Sequence, residues 1–370
     1  MSGWDVIIVG GGPGGSTAAW QLARAGRKVL VLEAKKFPRV KLCAGWVTRA
    51  CMADLELRAS GYPHTIQPIE SIYVGYGEKL RETRWREPAS YGIVRKEFDA
   101  FLLRRAEASG AEVREGVRVR AVKIGPDAAR IDIGGEWVEG EIVIGAGGFT
   151  CPVARALGDL SDEESVVLTQ ESETEVGTDL LKKIAPNYGV PELFAEPDFK
   201  GYAWYFTKGA FLNIGVGCLG KRPSVHERRD ALLDRLKRSG RLPGGLDLTP
   251  FKGHAYAIRR GKVRKVAGER FVLIGDAAGL AKDYSGEGIG PAVRSARMAA
   301  EVILGWFAGR AELGQYAKEI AEIFGSDEES LADKIVDRLP DEVIRAVAKL
   351  LCGNAWLRRR VVLKGAFGIG

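Results

Sequence analysis

Three glycines near the start of the chain have the spacing of a phosphate-binding loop. Gly10, Gly12 and Gly15 follow an apolar run, Asp5 to Val9, and precede a segment with apolar residues at helical spacing, Ser16 to Ala25. Gly10 would permit a tight turn, Gly12 would let the backbone approach a pyrophosphate, and Gly15 would let the helix pack closely against the strand. The helix N-terminus would then offer N–H groups and a partial positive charge to phosphates. The spacing therefore indicates a dinucleotide site.

An acidic residue completes the unit that begins with these glycines. Val29 to Glu33 has the pattern of a second buried strand, and Glu33 ends it. A carboxylate about twenty positions after the first glycine can accept hydrogen bonds from a ribose 2′-OH, which favours an unphosphorylated ribose. Strand, loop, helix, strand and acid together predict a βαβ unit. This motif does not distinguish FAD from NAD.

Further elements must position that unit and close the site. The patterns predict strands at Glu112 to Arg114, Val117 to Val122, Glu141 to Ile144 and Arg270 to Ile274, and helices at Glu97 to Gly110 and Pro291 to Ala308. The stretch from Val166 to Gly217 is strand-rich and aromatic, which indicates an antiparallel sheet. The order of elements favours an α/β protein with a parallel sheet.

Composition and charge exclude several classes of protein. Hydrophobic residues make up 46% and charged residues 28% of the chain, which argues against extensive disorder. No apolar run approaches the ~18 residues needed to span a bilayer, and no signal-peptide layout is visible, so we expect a cytoplasmic protein. Five scattered cysteines without a CxxC spacing support neither a disulfide framework nor a metal site. No nucleic-acid-binding module is recognisable.

The C-terminal stretch has an amphipathic pattern beside basic residues. Between Asp341 and Leu363, Trp356 precedes the basic triplet Arg358 to Arg360, and apolar residues recur at helical spacing, namely Val343, Ile344, Val347, Leu350 and Leu351. With a net charge of +7, such a stretch could touch membranes peripherally through anionic lipids. The alternative is an ordinary surface helix docked on the core.

A later pair of motifs resembles a known flavin fingerprint. Gly275-Asp276, followed by Gly286-Glu287-Gly288-Ile289, is similar to the second FAD motif of the FAD monooxygenase-like superfamily, and more narrowly of the geranylgeranyl reductase family. The resemblance implies that Asp276 contacts the flavin ribityl chain. It also implies that backbone N–H groups near Gly288 and Ile289 stabilise negative charge on the reduced ring, a role that suits a helix N-terminus.

An aromatic motif carries the resemblance to the reductases. Tyr202-Ala-Trp204-Tyr-Phe206-Thr207-Lys208 resembles their Tyr-x-Trp-x-Phe-Pro-Lys signature, with Thr207 in place of the proline. On a strand the three rings would share one face and form a wall suited to a long isoprenoid above the flavin. The departure at Thr207 leaves local geometry and chain-length preference open. Alternating aromatic residues also build plain sheet cores.

Three further positions are placed by the same resemblance. Cys43 stands in a segment similar to the family's Cys-Gly-Gly, although Ala44 replaces the first glycine. Arg95 begins an Arg-x-x-Phe-Asp motif that places it next to FAD, the alternative being a salt bridge to a helix acid. Gly147 replaces the aspartate common in the hydroxylase branch, which weakens a hydroxylase interpretation. Other cofactor contacts are expected at Pro13, Gly14, Ala34, Cys43, Ala44, Gly45, Val119, Ala146, Gly147 and Gly286.

The resemblance implies a fold with three parts. A discontinuous Rossmann-like FAD-binding domain, of the glutathione reductase and p-hydroxybenzoate hydroxylase type, is expected at 1–70, 90–160 and 265–308. An antiparallel-sheet substrate domain is expected at 71–89 and 161–264, and a helical C-terminal region at 309–370.

The resemblance also implies a function. It indicates non-covalent FAD and the reduction of C=C bonds in a polyprenyl chain, of the geranylgeranyl type, on a lipid, an alcohol or a diphosphate. The expected active-site residues are Cys43, Tyr202, Trp204 and Phe206. Electrons would come from NAD(P)H or from reduced ferredoxin as a transient redox-protein partner. A flavin monooxygenase or halogenase, and a flavoprotein passing electrons to quinone, remain alternatives.

Overall fold

A computed structural model of the chain describes residues 3–77, 79–158, 164–196, 201–219, 224–261, 264–282, 285–325 and 340–369. The described strands form three sheets. The candidate site lies where these sheets meet, so each sheet is described by what it contributes there.

The first sheet contains the predicted βαβ unit. Its strands are β1 (Trp4–Val9), β2 (Val29–Glu33), β8 (Glu112–Glu115), β9 (Ala121–Ile124), β10 (Ala129–Asp132), β11 (Trp137–Gly145), β17 (Ala267–Gly268) and β18 (Phe271–Leu273). β1 lies between β2 and β11 and pairs with both in parallel, and β8 and β18 extend the parallel core on either side. The β9–β10 hairpin adds antiparallel pairs.

Four helices accompany this sheet. They are α1 (Pro13–Arg24), α3 (Arg95–Ala108), α4 (Pro152–Ala156) and α7 (Ile289–Phe307). α1 packs against both α3 and α7. The strand residues Val6, Ile7 and Ile8 are completely buried, as expected for a parallel sheet covered on both faces. The predicted α/β class and Rossmann-like core are confirmed.

The second sheet has seven strands and is almost entirely antiparallel. They are β5 (Ser71–Tyr76), β6 (Lys79–Arg84), β12 (Glu164–Glu175), β13 (Glu192–Ala195), β14 (Gly201–Lys208), β15 (Phe211–Leu219) and β16 (Lys252–Gly261), in the order β16-β12-β15-β14-β13-β5-β6. One pair, β13 with β5, is parallel. The helices α5 (Thr178–Ile184) and α6 (Ser224–Arg238) pack on one face, over a core that includes Tyr205 and Ile214.

A small third sheet lies beside α7, and of its strands the sequence indicated only the one that leads into α3. It consists of β3 (Trp46–Thr48), β4 (Ile66–Ile69) and β7 (Ser90–Ile93), with β7 in the middle. The helix α2 (Arg49–Asp54) and a 3-10 turn (Ala59–Gly61) lie between β3 and β4 in the chain. Val47 and Ile93 share a buried cluster with Phe98 of α3 and Ile289 of α7, so this sheet ties the two helices together.

The C-terminal part is helical over its described residues, as expected. It contains α8 (Gly314–Phe324), α9 (Asp341–Gly353), α10 (Ala355–Leu357) and a π-helical segment (Arg358–Ala366). α9 packs against β5 of the second sheet. Within the described ranges, no helix combines the length and the apolar character needed to cross a membrane.

One strand expectation is wrong. The stretch expected at 117–122 begins its strand only at Ala121, in β9. Val117 donates its N–H to the Glu33 carbonyl at the end of β2 (2.9 Å), and Arg120 donates to the Asp132 carbonyl (2.8 Å). The chain there crosses from one part of the sheet to another, with Val117 partly buried and Val119 buried, but neither pairs as a strand. The domain boundaries given above stay predictions.

Candidate active site

The glycine loop forms a cradle that only residues without side chains can build. Gly10 has a φ of +112°, and a Cβ there would lie 2.4 Å from the Ala146 carbonyl oxygen. A Cβ on Gly15 would lie 1.9 Å from the Gly10 carbonyl oxygen, so α1 could not pack so closely with any other residue. Gly12 faces more open space, because the nearest atom to a Cβ placed there would be Arg39 Nη2, at 3.6 Å. Pro13 then begins α1.

Glu33 lies at the end of β2, beside this loop. Its two carboxylate oxygens accept hydrogen bonds from the backbone N–H groups of Gly11 (2.7 Å) and Lys35 (2.8 Å). The side chain is therefore fixed where a ribose would approach the loop. Its contact with a ribose stays a prediction, as do the contacts of Gly14 and of Ala34, the residue that follows Glu33.

Two arginines share one carboxylate near the cradle. Arg95 is buried and donates two hydrogen bonds to Asp99, of 2.7 and 2.8 Å. Arg39 Nη1 lies 3.0 Å from the same carboxylate. The salt bridge considered as the alternative for Arg95 is thus present, and it holds the guanidinium close to the cradle. Two cations against one anion leave net positive charge beside Gly12, which suits a pyrophosphate.

The second motif forms a tight turn against the start of α7. A 3-10 turn, Gly275–Ala278, follows β18, and Arg264 donates to the carbonyl oxygens of Asp276 (3.2 Å) and Ala277 (3.0 Å). Burial raises the pKa of Asp276, an effect opposed by the nearby charges of Lys41 and Arg95. A Cβ on Gly288, the residue that caps α7, would lie 3.1 Å from Asp276 Oδ1. The two halves of the motif therefore meet, and their contacts with FAD stay predictions.

Two other sequence-predicted positions are crowded rather than open. A Cβ on Gly147 would lie 3.1 Å from Pro152 Cδ and 3.2 Å from Cys151 Cα, so an aspartate does not fit there without a shift. A Cβ on Gly286 would lie 1.9 Å from the Tyr256 hydroxyl. Val119 is buried in the core of the first sheet. These residues shape the site, and their cofactor contacts stay predictions.

The aromatic residues lie on one face of the second sheet. In the register of β14, β15 and β12, Trp204 is opposite Gly215, and Gly215 is opposite Glu171. Tyr202 and Phe206 flank Trp204 on the same face, because alternate residues of a strand point the same way. This face carries the aromatic residues predicted from the motif, and the opposite face packs on α5 and α6. Their catalytic role stays a prediction.

A hydrogen-bond network fixes Trp204 to the segment that contains Cys43. The Trp204 Nε1–H donates to Asn213 Oδ1 (2.6 Å), and Asn213 Nδ2 donates to Glu173 Oε2 (3.2 Å) and to the Cys43 carbonyl (3.4 Å). Lys208 Nζ is buried and donates to Glu173 (2.5 Å) and to the carbonyl oxygen of Ala44 (2.8 Å). The cofactor-side loop and the aromatic face are thus held as one unit.

Lys208 also reaches the third sheet. It donates to the Ile93 carbonyl of β7 (2.9 Å). Gly45, with a φ of +68°, gives room for this: a Cβ there would lie 2.0 Å from the Ile93 oxygen and 2.7 Å from Lys208 Nζ. The Cys43 thiol itself is half-buried and accepts the N–H of Gly45 at 3.4 Å. Lys208 therefore links the second sheet to the third sheet and to the segment that contains Cys43.

A lysine and a histidine meet at the border between the loop and the second sheet. Lys41 Nζ lies 2.9 Å from His254 Nε2. Burial, and then the charge of Arg95, lower the pKa of Lys41. Burial, and then the charge of Lys41, lower the pKa of His254 to about 3. His254 is therefore neutral at physiological pH and can accept a hydrogen bond from Lys41.

Several residues of this site escaped the sequence analysis. They are Arg39, Lys41, Glu171, Glu173, Asn213 and His254, all of which surround the predicted residues. The signal that could have found three of them is position in the matched segments. Arg39 and Lys41 lie in the segment that contains Cys43, and Asn213 lies in the strand that follows the aromatic motif. Within the described residues, no group of three or more metal-ligating side chains is present.

Comparison with known proteins agrees with this geometry. The model of the FAD binding domain family matches residues 3–323. A menaquinone reductase of Mycobacterium tuberculosis is 32% identical over 81% of this chain and 76% of its own. The chloroplastic geranylgeranyl diphosphate reductase of Oryza sativa is 31% identical over 81% of this chain and 66% of its own. A solved geranylgeranyl bacteriochlorophyll reductase-like protein from Thermoplasma acidophilum has a TM-score of 0.80 at 22% identity, covering 99% of this chain and 96% of that one.

The fold and the glycine cradle define an FAD-dependent oxidoreductase. The chain belongs to the FAD-binding domain family, and within it to the group that includes the geranylgeranyl reductases. The residues of the cradle fit FAD, because close backbone approach, positive charge and a helix N-terminus all converge beside Gly12.

Proposed function

We propose that this protein adds two hydrogens across C=C bonds of a polyprenyl chain, of the geranylgeranyl type, carried on a lipid, an alcohol or a diphosphate. The observation that carries this proposal is the aromatic face. Tyr202, Trp204 and Phe206 pack in one apolar cluster with Ala44, and Trp204 is hydrogen-bonded through Asn213 to the Cys43 carbonyl. An isoprenoid offers apolar and π surface, which aromatic rings match. FAD, when bound and reduced, supplies a hydride.

The side chains must do what an isolated alkene requires. Such an alkene is barely electrophilic, so the site must exclude water, align the double bond and stabilise positive character at one carbon. Trp204 and Phe206 are buried, and the Nε1 bond to Asn213 fixes the indole plane. Indole faces stabilise positive charge. We assign Cys43, at the end of the same network, to the wall of the reaction space.

The relatives support a substrate class rather than one substrate. Menaquinone and geranylgeranyl diphosphate, named in two of the relatives, share a polyprenyl chain and differ in the group that carries it. We propose that this chain is the part recognised by the aromatic face. We also propose NAD(P)H or reduced ferredoxin as the transient electron donor, which anaerobic mixing of each donor with the yellow protein tests by the bleaching of flavin absorbance.

The decisive experiment measures product mass. Geranylgeraniol, geranylgeranyl diphosphate and menaquinone are incubated without oxygen with dithionite-reduced holoprotein, and each added pair of hydrogens is counted by mass spectrometry. We expect saturated products from at least one polyprenyl compound. Flavin reoxidation by menaquinone without reduction of its side chain would instead indicate electron transfer to quinone. Products that require oxygen would indicate a monooxygenase or halogenase.

Peripheral membrane contact is a further part of the proposal, because polyprenyl lipids reside in bilayers. On α9 the apolar side chains Val343, Val347 and Leu350 lie on the surface, Leu350 with 57% of its area exposed. Trp356, 66% exposed, follows them. The basic triplet is only partly available, since Arg358 is buried and donates hydrogen bonds to Thr83 and to the Cys352 carbonyl.

A further inference from the structure

Glu171 is a buried carboxyl group that the proposed function has not yet used. It lies in the middle of β12 and is 2% exposed. Its Oε1 atom is buried and has no hydrogen-bond partner among the described residues. A buried polar atom without a partner costs about 1–3 kcal/mol, so its retention calls for a reason.

The register of the sheet places this carboxyl group next to the aromatic wall. Glu171 is opposite Gly215, which is opposite Trp204. A Cβ on Gly215 would lie 2.2 Å from the Trp204 ring and 2.8 Å from Glu171 Cβ. The glycine therefore lets the indole and the acid approach each other across three strands. Both point to the side of the sheet where Asn213 contacts the Cys43 segment.

Burial favours the neutral form of Glu171, against the combined charges of Lys208, Lys41 and Arg95. Burial raises its pKa to about 8, with the charge of Lys208 lowering it and the charge of Glu173 raising it. Glu173, two residues away on the same face, forms the ion pair with Lys208. Two neighbouring carboxyl groups thus have different environments, an arrangement that separates an acid from a carboxylate.

Charged and titratable groups face Glu171 from each element packed around it. Lys252 of β16 is in register with it and is exposed. The others that interact with it electrostatically are Glu173 of β12, Lys208 and Tyr202 of β14, Tyr256 of β16, Lys41 of the loop after β2 and Arg95 of α3. Lys41 and Arg95 belong to the cofactor side, so Glu171 faces the space between the cofactor cradle and the sheet.

We infer that Glu171 is the acid that delivers a proton to the alkene, an assignment that rests on the proposed function. One alkene carbon receives hydride from the reduced flavin as the π bond breaks. The O–H bond of Glu171 breaks at the same time, and its proton forms the new C–H bond at the other carbon. Two electrons leave the flavin and the alkene gains two hydrogens. The Glu171 carboxylate then regains a proton from solvent water.

The first test measures the protonation state and needs no turnover. Infrared spectra of the FAD-loaded protein are recorded against pH for wild type, Glu171→Gln and Glu175→Gln. Glu175 lies on the same strand and is exposed, so its variant is the matched control. We expect a protonated-carboxyl band at pH 7 that titrates near pH 8 and is absent only from Glu171→Gln. A band that persists in that variant, or no such band in wild type, would overturn the inference alone.

The second test compares product formation with flavin content. General acids contribute about 10²–10⁴-fold, so Glu171→Gln should lose that factor in alkene reduction while keeping FAD and melting no lower than wild type. Glu175→Gln should match wild type, and Glu171→Asp, which keeps an acid, should recover part of the rate. The wild-type rate should fall above pH 8, where the acid ionises. Equal rates for wild type and Glu171→Gln would overturn the inference and leave the proposed function standing.

The third test uses stability, with its sign set by the raised pKa. An acid with a pKa near 8 in the folded protein and 4.5 in the unfolded chain holds more protons when folded, so the stability it contributes is present below pH 4.5 and is lost as pH rises to 8. Denaturant unfolding should therefore show wild type losing stability relative to Glu171→Gln between pH 5 and pH 9. A constant difference between the two proteins would contradict the assignment. A wild-type protein that reduces no polyprenyl compound would remove the proposed function and this inference together.

Discussion

Asp276 is the residue of the second motif that we expect to contact FAD. It is surrounded by the positive charges of Lys41, Arg95 and Arg264, and its position beside Gly288 brings it to the start of α7. We expect Asp276→Ala to weaken FAD binding about ten- to a hundredfold, because a hydrogen bond with a charged group contributes about 1.5–3 kcal/mol. Fluorescence titration of the apoprotein with FAD gives the Kd. Asp127→Ala, in an exposed loop, is the control, and equal Kd values for the two variants would refute this role.

Trp204 and Tyr205 are neighbours in sequence and lie on opposite faces of β14. Trp204 faces the Cys43 segment, whereas Tyr205 lies in the core beneath α6. Both are buried, so either change to alanine should cost about 3–5 kcal/mol of stability. At a temperature where both variants are folded and yellow, only Trp204→Ala should lose alkene reduction, because only it removes the ring that aligns the double bond. Equal residual activity would mean that Trp204 serves the core alone.

At the scale of elements, the contact between α1 and β1 depends on Gly15. A Cβ at this position would overlap the Gly10 carbonyl oxygen, so Gly15→Ala must push the helix away from the strand and open the phosphate cradle. We expect the variant to lose FAD during dialysis that leaves wild type yellow. Gly61→Ala, where nothing lies within 4 Å of the new methyl group, is the matched control. A Gly15→Ala protein that retains its flavin would show that the cradle tolerates the displacement.

The sequence was sufficient to predict those elements that depend on residues close together in the chain. The βαβ unit from Trp4 to Glu33 follows from local spacing, and β1, α1 and β2 form as predicted. Pairings between distant segments were not accessible in the same way. Lys41 and His254 are 213 positions apart, and Glu171 meets Trp204 only through the register of three strands. Such contacts depend on how the sheets pack, which a single sequence does not reveal.

At the scale of the whole molecule, the site is shared by all three sheets. The first supplies the cofactor cradle, the second the aromatic face, and the third the Ile93 carbonyl that Lys208 uses to hold them together. No single element carries all the residues of the candidate site. This explains why the sequence motifs are far apart in the chain and why each of them alone also allows a purely structural interpretation.

The exposed apolar face of α9 is the surface through which we expect the whole protein to bind membranes, where polyprenyl lipids reside. We expect the protein to float with anionic liposomes more than with neutral ones, and less so at high salt, because basic residues near a surface contribute about 1 kcal/mol each and are screened by ions. The double change Val347→Glu and Leu350→Glu should abolish flotation, since it places charge on the face that would enter the lipid. Ile323→Glu, at an exposed apolar position of α8, is the matched control and should float like wild type. Equal binding to both lipids, or binding that survives the double change, would mean that α9 is an ordinary surface helix.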